Sequence, residues 1–170
     1  MTKIMTFYTC CQIMFSDLQC IQADPRKIYF RASAWASKIH GTTAHIQEGL
    51  WYSVYDLLIG LMLPSGNDAA LVLAENFGRL LIAESCKTST QSLKDFCEKD
   101  PYEPEYSKMC ISRFVKRMNH ENQKLKLNNS TYSNPHGLSD KANKSSAQDV
   151  VRLTFAALKY PLFVEIVEKF

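Results

Sequence analysis

The segment Leu63-Pro64-Ser65-Gly66-Asn67-Asp68-Ala69-Ala70 decides how this chain is read. An apolar run over 57–63 precedes it, and a second apolar segment over 71–80 follows it. Two buried helices joined by a tight polar corner are the simplest reading. Pro64 has no backbone N–H and disfavours the α region at Leu63, so the first helix stops there. Gly66 permits a tight backbone path. Ser, Asn and Asp are good N-caps, and Asn67 or Asp68 is expected to cap the second helix. Capping alone does not account for two polar side chains, two residues apart, at a greasy junction. A Ser-x-Asn corner also aims a hydroxyl and an amide at one small volume, an arrangement a catalytic site can use.

The rest of the chain fits one domain with a real core. At 170 residues it is long enough to bury one. A hydrophobic share of 46% and a charged share of 22% describe an ordinary globular protein. The net charge of +3 is too small, and the basic residues too scattered, to argue for a nucleic-acid partner. No apolar run approaches the roughly 20 residues a membrane helix needs. The N-terminus lacks the ordered charged, apolar and small-residue regions of a signal peptide. The six cysteines, at 10, 11, 20, 86, 97 and 110, make no CxxC pair, and no His lies near enough to complete a zinc-finger pattern. Cys10 and Cys11 fall in an apolar segment and pack as small hydrophobes. Cys86, Cys97 and Cys110 flank a polar stretch and are the candidates for one disulfide in an oxidising compartment.

Local signals order the remaining elements. Residues 2–15 read as a buried helix in which Lys3 is the one charge. The bland account of Lys3 is a terminal side chain reaching solvent. Short strands are expected at 27–30 and 44–46, paired as a small ribbon, with one or two helical turns between them at 32–39. Ser53 and Asp56 form a capping box that starts the helix ending at Pro64. The second buried helix is expected over 68–82. A polar surface excursion follows over 84–106, with one helical turn near 93–96. A helical period over 107–126 puts Ile111, Phe114, Val115, Met118 and Leu125 on one face. The Asn128-Asn129-Ser130 run turns the chain. Another loop covers 133–139, and Ser146 caps a last helix over 147–160, broken by Pro161. Residues 162–170 begin an element the chain does not finish.

Three blocks in this order resemble the D-alanyl-D-alanine carboxypeptidases, the low-molecular-mass penicillin-binding proteins. Met1-Thr2-Lys3-Ile4-Met5-Thr6 is similar to the tail of the family's Ser-x-x-Lys helix. The stretch from Gly41 through 52–58 to Ser65-Gly66-Asn67-Asp68-Ala69-Ala70 is similar to the approach to its Ser-x-Asn motif. Residues 114–119, 125–127, Asn134-Pro135-His136-Gly137-Leu138-Ser139-Asp140 and Ser146-Ala147-Gln148-Asp149 follow the family's later phrases, including its HGL loop. The resemblance covers nearly everything except about 84–106, which looks like an insertion.

The family's nucleophilic serine would stand immediately before Met1, and its Lys-[Ser/Thr]-Gly strand would follow residue 170. No serine of this chain has a lysine three residues later, and Lys87-Thr88-Ser89 lacks the glycine. The chain is therefore expected to be the middle of a catalytic domain, cut at both ends and inactive as it stands. The implied fold is mostly α: the helical subdomain of a β-lactamase/transpeptidase-like α/β fold, with one small β-ribbon and the main antiparallel sheet largely missing. The resemblance implies Lys3 as general base, Ser65 as proton relay and Asn67 as the group holding the substrate, with His136 and Gly66 beside the site. It implies no metal and no cofactor. The implied substrate is a peptidoglycan stem peptide ending in D-Ala-D-Ala, trimmed through an acyl-serine in an extracytoplasmic or secreted setting, with β-lactams as mimics. A non-catalytic relative that only binds such peptides, or a protein partner, is the alternative. A class A β-lactamase fits less well, because its deacylating Glu has no counterpart.

Overall fold

A computed structural model describes residues 1–17, 24–86 and 103–169; the side chains of Ser16, Asp17 and Cys86 are not described. Helix α1 (Thr2–Gln12) continues into one π-helical turn, Ile13–Asp17. Strand β1 (Tyr29–Arg31), the short helix α2 (Ala34–Ser37) and strand β2 (Trp51–Ser53) come next. Helices α3 (Val54–Met62), α4 (Asn67–Cys86), α5 (Pro104–Lys124), α6 (Ala147–Ala157) and α7 (Pro161–Val167) complete the order. Among the described residues the architecture is mostly α with one two-stranded antiparallel ribbon, as the sequence implied.

Helix α1 runs through the middle. Met5, Phe7, Cys10, Cys11, Ile13 and Met14 are inaccessible to solvent. They pack against α3, α4, α5 and α6. A helix that is apolar on most sides belongs inside, which places the polar end of α1 wherever its one lysine finds partners. Helices α4 and α5 share the most extensive helix–helix contact. It is close because Gly78 carries no side chain: a Cβ there would lie 2.0 Å from the Cys110 carbonyl oxygen.

Several local signals act as expected. Ser53 Oγ accepts from the Asp56 N–H at 3.0 Å and donates to Asp56 Oδ2 at 2.6 Å, so the box closes through the hydroxyl. Ser146 caps α6 by accepting from the Asp149 N–H. Helix α3 ends at Met62 with Leu63 as its C-cap, before Pro64.

Other expectations are corrected. The ribbon's second strand is Trp51–Ser53, with Phe30 opposite Tyr52, and not 44–46. The N–H groups of Ala44 and Ile46 are taken by the Asp68 carboxylate at 2.9 and 3.0 Å, and His45 sits at φ 58, so that stretch has no ladder to join. Neither Asn67 nor Asp68 is the N-cap of α4. The helix starts from the Gly66 carbonyl, which accepts from the Ala70 N–H at 3.3 Å. Asn67 is thereby left to tertiary contacts, while the Asp68 carboxylate accepts from the first-turn Ala69 N–H at 2.8 Å and from the 43–46 segment as well.

The polar stretch is shorter than 84–106. Helix α4 runs on to Cys86, and α5 begins at Pro104, where proline suits a first helical turn. Tyr106, placed on the surface from its polar neighbours, is buried. The turn expected at 93–96, with Cys20 and Cys97, lies outside the described residues. Cys110 is a buried free thiol, which removes it from the proposed disulfide. The last helix ends at Ala157, and the unfinished segment is helix α7, whose Leu162, Phe163 and Ile166 are buried.

Candidate active site

The corner between α3 and α4 is held from several sides. Ser65 has φ 57, the left-handed region that a non-glycine residue adopts at a cost. Three backbone contacts impose it. The Thr42 hydroxyl donates to the Ser65 carbonyl. The Gly66 N–H donates to the Gly60 carbonyl at 2.9 Å, and the Asn67 N–H to the Thr42 carbonyl at 2.8 Å. Gly66 is needed because a Cβ would meet Gly60 O at 2.8 Å and Asp68 Oδ1 at 2.6 Å. Asp68, almost fully buried, draws the 43–46 segment onto this corner. Its carboxylate accepts from Thr43 Oγ1 at 2.6 Å and from the N–H groups of Ala44 and Ile46. Burial raises its pKa, but these bonds outweigh that and hold it below the usual carboxylate value.

Lys3 meets this corner across the core. Its Nζ donates to Asn67 Oδ1 at 2.9 Å and to Ser65 Oγ at 3.2 Å. The account of Lys3 as a solvent-seeking terminal lysine is therefore corrected. Burial of the ammonium lowers its pKa, and the Asp68 carboxylate offsets part of that. Asn67, 3% exposed, spans two elements: its Nδ2 donates to the His40 carbonyl at 2.8 Å. An amide carries two donors and two acceptor lone pairs, so both ends can bind a further group.

An open cleft of about 570 Å³ lies over these atoms, lined among others by Lys3, Ser65, Asn67, Thr42, His136 and Gly137. Four of the five residues named from the sequence thus share one cleft. Gly66 is the exception: it shapes the corner from behind. His136 Nδ1 accepts from the Leu138 N–H at 3.2 Å. Burial first, then the Lys3 charge, lowers the His136 pKa to about 4, so the imidazole is neutral at pH 7. The 134–138 loop reaches the cleft because Thr6 of α1 donates to the Pro135 carbonyl at 2.7 Å.

Sequence reasoning missed Thr42 and Asp68. The 40–43 stretch reads as a turn, but nothing local says which corner a turn packs on. Asp68 looked like a cap because capping was the strongest local use for its type and position.

The chemistry available is that of a hydroxyl and an amide sharing one lysine of reduced basicity, in an open cleft. The family model described as D-alanyl-D-alanine carboxypeptidase matches residues 110–168. The chain is 29% identical over 160 residues to the D-alanyl-D-alanine carboxypeptidase DacF of Bacillus subtilis, covering 94% of this chain and 32% of that protein. It is 27% identical over 125 residues to a D-alanyl-D-alanine carboxypeptidase of Streptomyces sp. strain K15, covering 74% and 35%. Among solved structures, it superposes on the Streptomyces K15 DD-transpeptidase with TM-score 0.72 at 23% identity, covering 97% of this chain and 52% of that one. The carboxypeptidase DacD of Francisella tularensis gives 0.66 at 25% identity, with 97% and 31% covered.

Fold and cleft together point to a class: this chain is similar to part of a penicillin-binding-protein-like domain. Within that class, the matched model and the curated relatives are D-alanyl-D-alanine carboxypeptidases, and the chain spans about a third of those relatives' length.

Proposed function

We propose that the whole protein is a serine-type D-Ala-D-Ala carboxypeptidase acting on peptidoglycan stem peptides outside the cytoplasm, and that this chain supplies its helical wall. The observation that carries the reading is the single ammonium of Lys3 held by both Ser65 and Asn67. A serine hydroxyl is a weak nucleophile and needs a base close by. A lysine three residues along a helix from a serine lies one turn away on the same face. With its charge disfavoured by burial, Lys3 takes the hydroxyl proton as the acyl-serine forms. Which residue acts as the acylating base differs between accounts of related enzymes, and the lowered pKa of Lys3 favours the lysine here. Ser65 passes that proton to the departing D-alanine amine, and Asn67 holds the substrate's peptide group. β-Lactams would be attacked by the same hydroxyl.

The 170 residues contain no Ser-x-x-Lys, so this polypeptide by itself binds without acylating. Two measurements test the pair of statements. Titration with a D-alanyl-D-alanine dipeptide shifts the NMR signals of Thr42, Asn67, His136 and Gly137, while the L,L dipeptide does not. Equal or absent shifts would overturn the substrate assignment. Labelled penicillin washes off the denatured polypeptide; covalent retention would show a nucleophile elsewhere in the chain.

A further inference from the structure

A cavity of about 360 Å³ lies between Leu81 of α4 and four side chains of α5: Arg113, Lys116, Arg117 and His120. Among the described residues, none lines both this cavity and the cleft. The volume falls within the roughly 300–1,000 Å³ of small-molecule sites. The four α5 residues stand at i, i+3, i+4 and i+7, so they share one helix face, with neighbours about 5–6 Å apart at Cβ. Like charges at that spacing repel, and a basic helix face ordinarily spreads into solvent. Here one member is drawn inward. The Arg117 side chain is 14% exposed, and its Nε donates at 2.7 Å to Oε1 of Glu121, itself 1% exposed. That bond fixes the guanidinium in place.

The charge is not balanced locally. Arg113, Lys116 and Arg117 bring three permanent positive charges to the lining, and among the described residues no carboxylate lines it. The adjacent Glu121 offsets one of them and is shared with Lys124 at 3.1 Å. Arg113 and Lys116 are exposed and have no ion-pair partner among the described residues. We propose that this cavity is a binding site for a dianionic phosphoryl group, held by Arg113, Lys116 and His120 beside the fixed charge of Arg117. A phosphoryl group carries about −1.5 to −2 charge at pH 7 and three acceptor oxygens. The planar fork of Arg113 matches two of those oxygens. The Lys116 ammonium and an imidazole N–H of His120 are donors for the third. A doubly charged ligand relieves the repulsion within the cluster, which a monoanion does only in part. Leu81 offers little apolar surface, so whatever carries the phosphoryl group is itself polar. The site is independent of the dipeptide reading of the cleft.

The test titrates the full chain at fixed pH and ionic strength, replacing chloride with inorganic phosphate or with glycerol phosphate, and follows the amide NMR signals. Both phosphates are expected to shift Leu81, Arg113, Lys116, Arg117 and His120 along one saturable curve, while Asn67 and His136 of the cleft stay unmoved. The tighter ligand names the source, free phosphate or an ester. Arg113→Ala and Lys116→Ala should each weaken binding about three- to fivefold, as one exposed charge contact allows. Arg113→Glu combined with Lys116→Glu should weaken it at least tenfold, with thermal unfolding unchanged because both residues are exposed. Lys141→Glu combined with Lys159→Glu makes the same change in net charge elsewhere on the exposed surface and should leave the affinity intact. Equal weakening by the two double variants would reduce the effect to overall charge and overturn the site. So would shifts that never saturate, or shifts centred on Lys3, Asn67 and His136, which would move the anion to the cleft.

Discussion

Lys3 Nζ and Asn67 Oδ1 are 2.9 Å apart although 64 positions separate them in the chain. The bond joins the start of the central helix to the start of α4, directly over the open cleft. Its second arm, from Asn67 Nδ2 to the His40 carbonyl, fixes the loop that forms one wall.

Asn67→Ala removes both arms, leaving the His40 carbonyl without this donor and Lys3 with Ser65 alone. A cap would cost about 1 kcal/mol, whereas losing two hydrogen bonds costs about 1 kcal/mol for each. We expect a loss of about 2 kcal/mol in urea unfolding, with an unchanged slope, together with faster amide exchange at Gly41 and Thr42. A loss confined to α4 helicity, with the loop unaffected, would return Asn67 to a capping role.

Lys3 gives stability a signature at high pH. Its folded pKa lies below the unfolded value of 10.5 because burial disfavours the ammonium. Between the two values the unfolded chain binds more protons, so stability rises with pH across that window. Lys3→Met should abolish this rise when the two proteins are compared at each pH. The comparison by difference matters because buried tyrosines such as Tyr132, raised to about 12 chiefly by burial, act in the opposite direction above their ordinary range. Parallel stability curves for the two proteins would contradict the assigned burial of Lys3.

His136 acts at the acid end. Its imidazole titrates near 4 in the fold against 6.5 when unfolded. The stability it contributes is present above 6.5 and is lost as pH falls toward 4. The ring NMR signal should titrate with a midpoint near 4, and Lys3→Met should raise that midpoint by removing the nearby charge. A midpoint at the ordinary histidine value would place the ring in solvent.

Gly78→Ala tests the α4–α5 contact. The new methyl would meet the backbone of Cys110, which cannot swing aside as a side chain can. Overpacking of this kind costs about 3 kcal/mol. Thermal unfolding should shift down accordingly, while Gly49→Ala on the open surface serves to report the cost of a positive φ without a backbone clash. Equal losses in the two variants would mean the helices separate freely.

Much was legible from the residues alone because it is local. The break at Pro64, the Ser53 and Ser146 caps and the largely apolar character of α1 depend on groups within a few positions of one another. The resemblance of three ordered blocks also picked out Lys3, Ser65, Asn67 and His136. What local signals miss is competition between partners. Asp68 is an adequate cap by type, yet its carboxylate is drawn to the N–H groups of Ala44 and Ile46, which in turn keeps 44–46 out of the ribbon. Sequence by itself determined the break before Pro64 and the serine caps of α3 and α6, because bond geometry and near neighbours decide those. Only the tertiary structure decided that Thr42 and Asp68 shape the cleft and that a second cavity lies between Leu81 and the basic face of α5, because hydrogen bonds and burial between distant segments exist only once the core has packed.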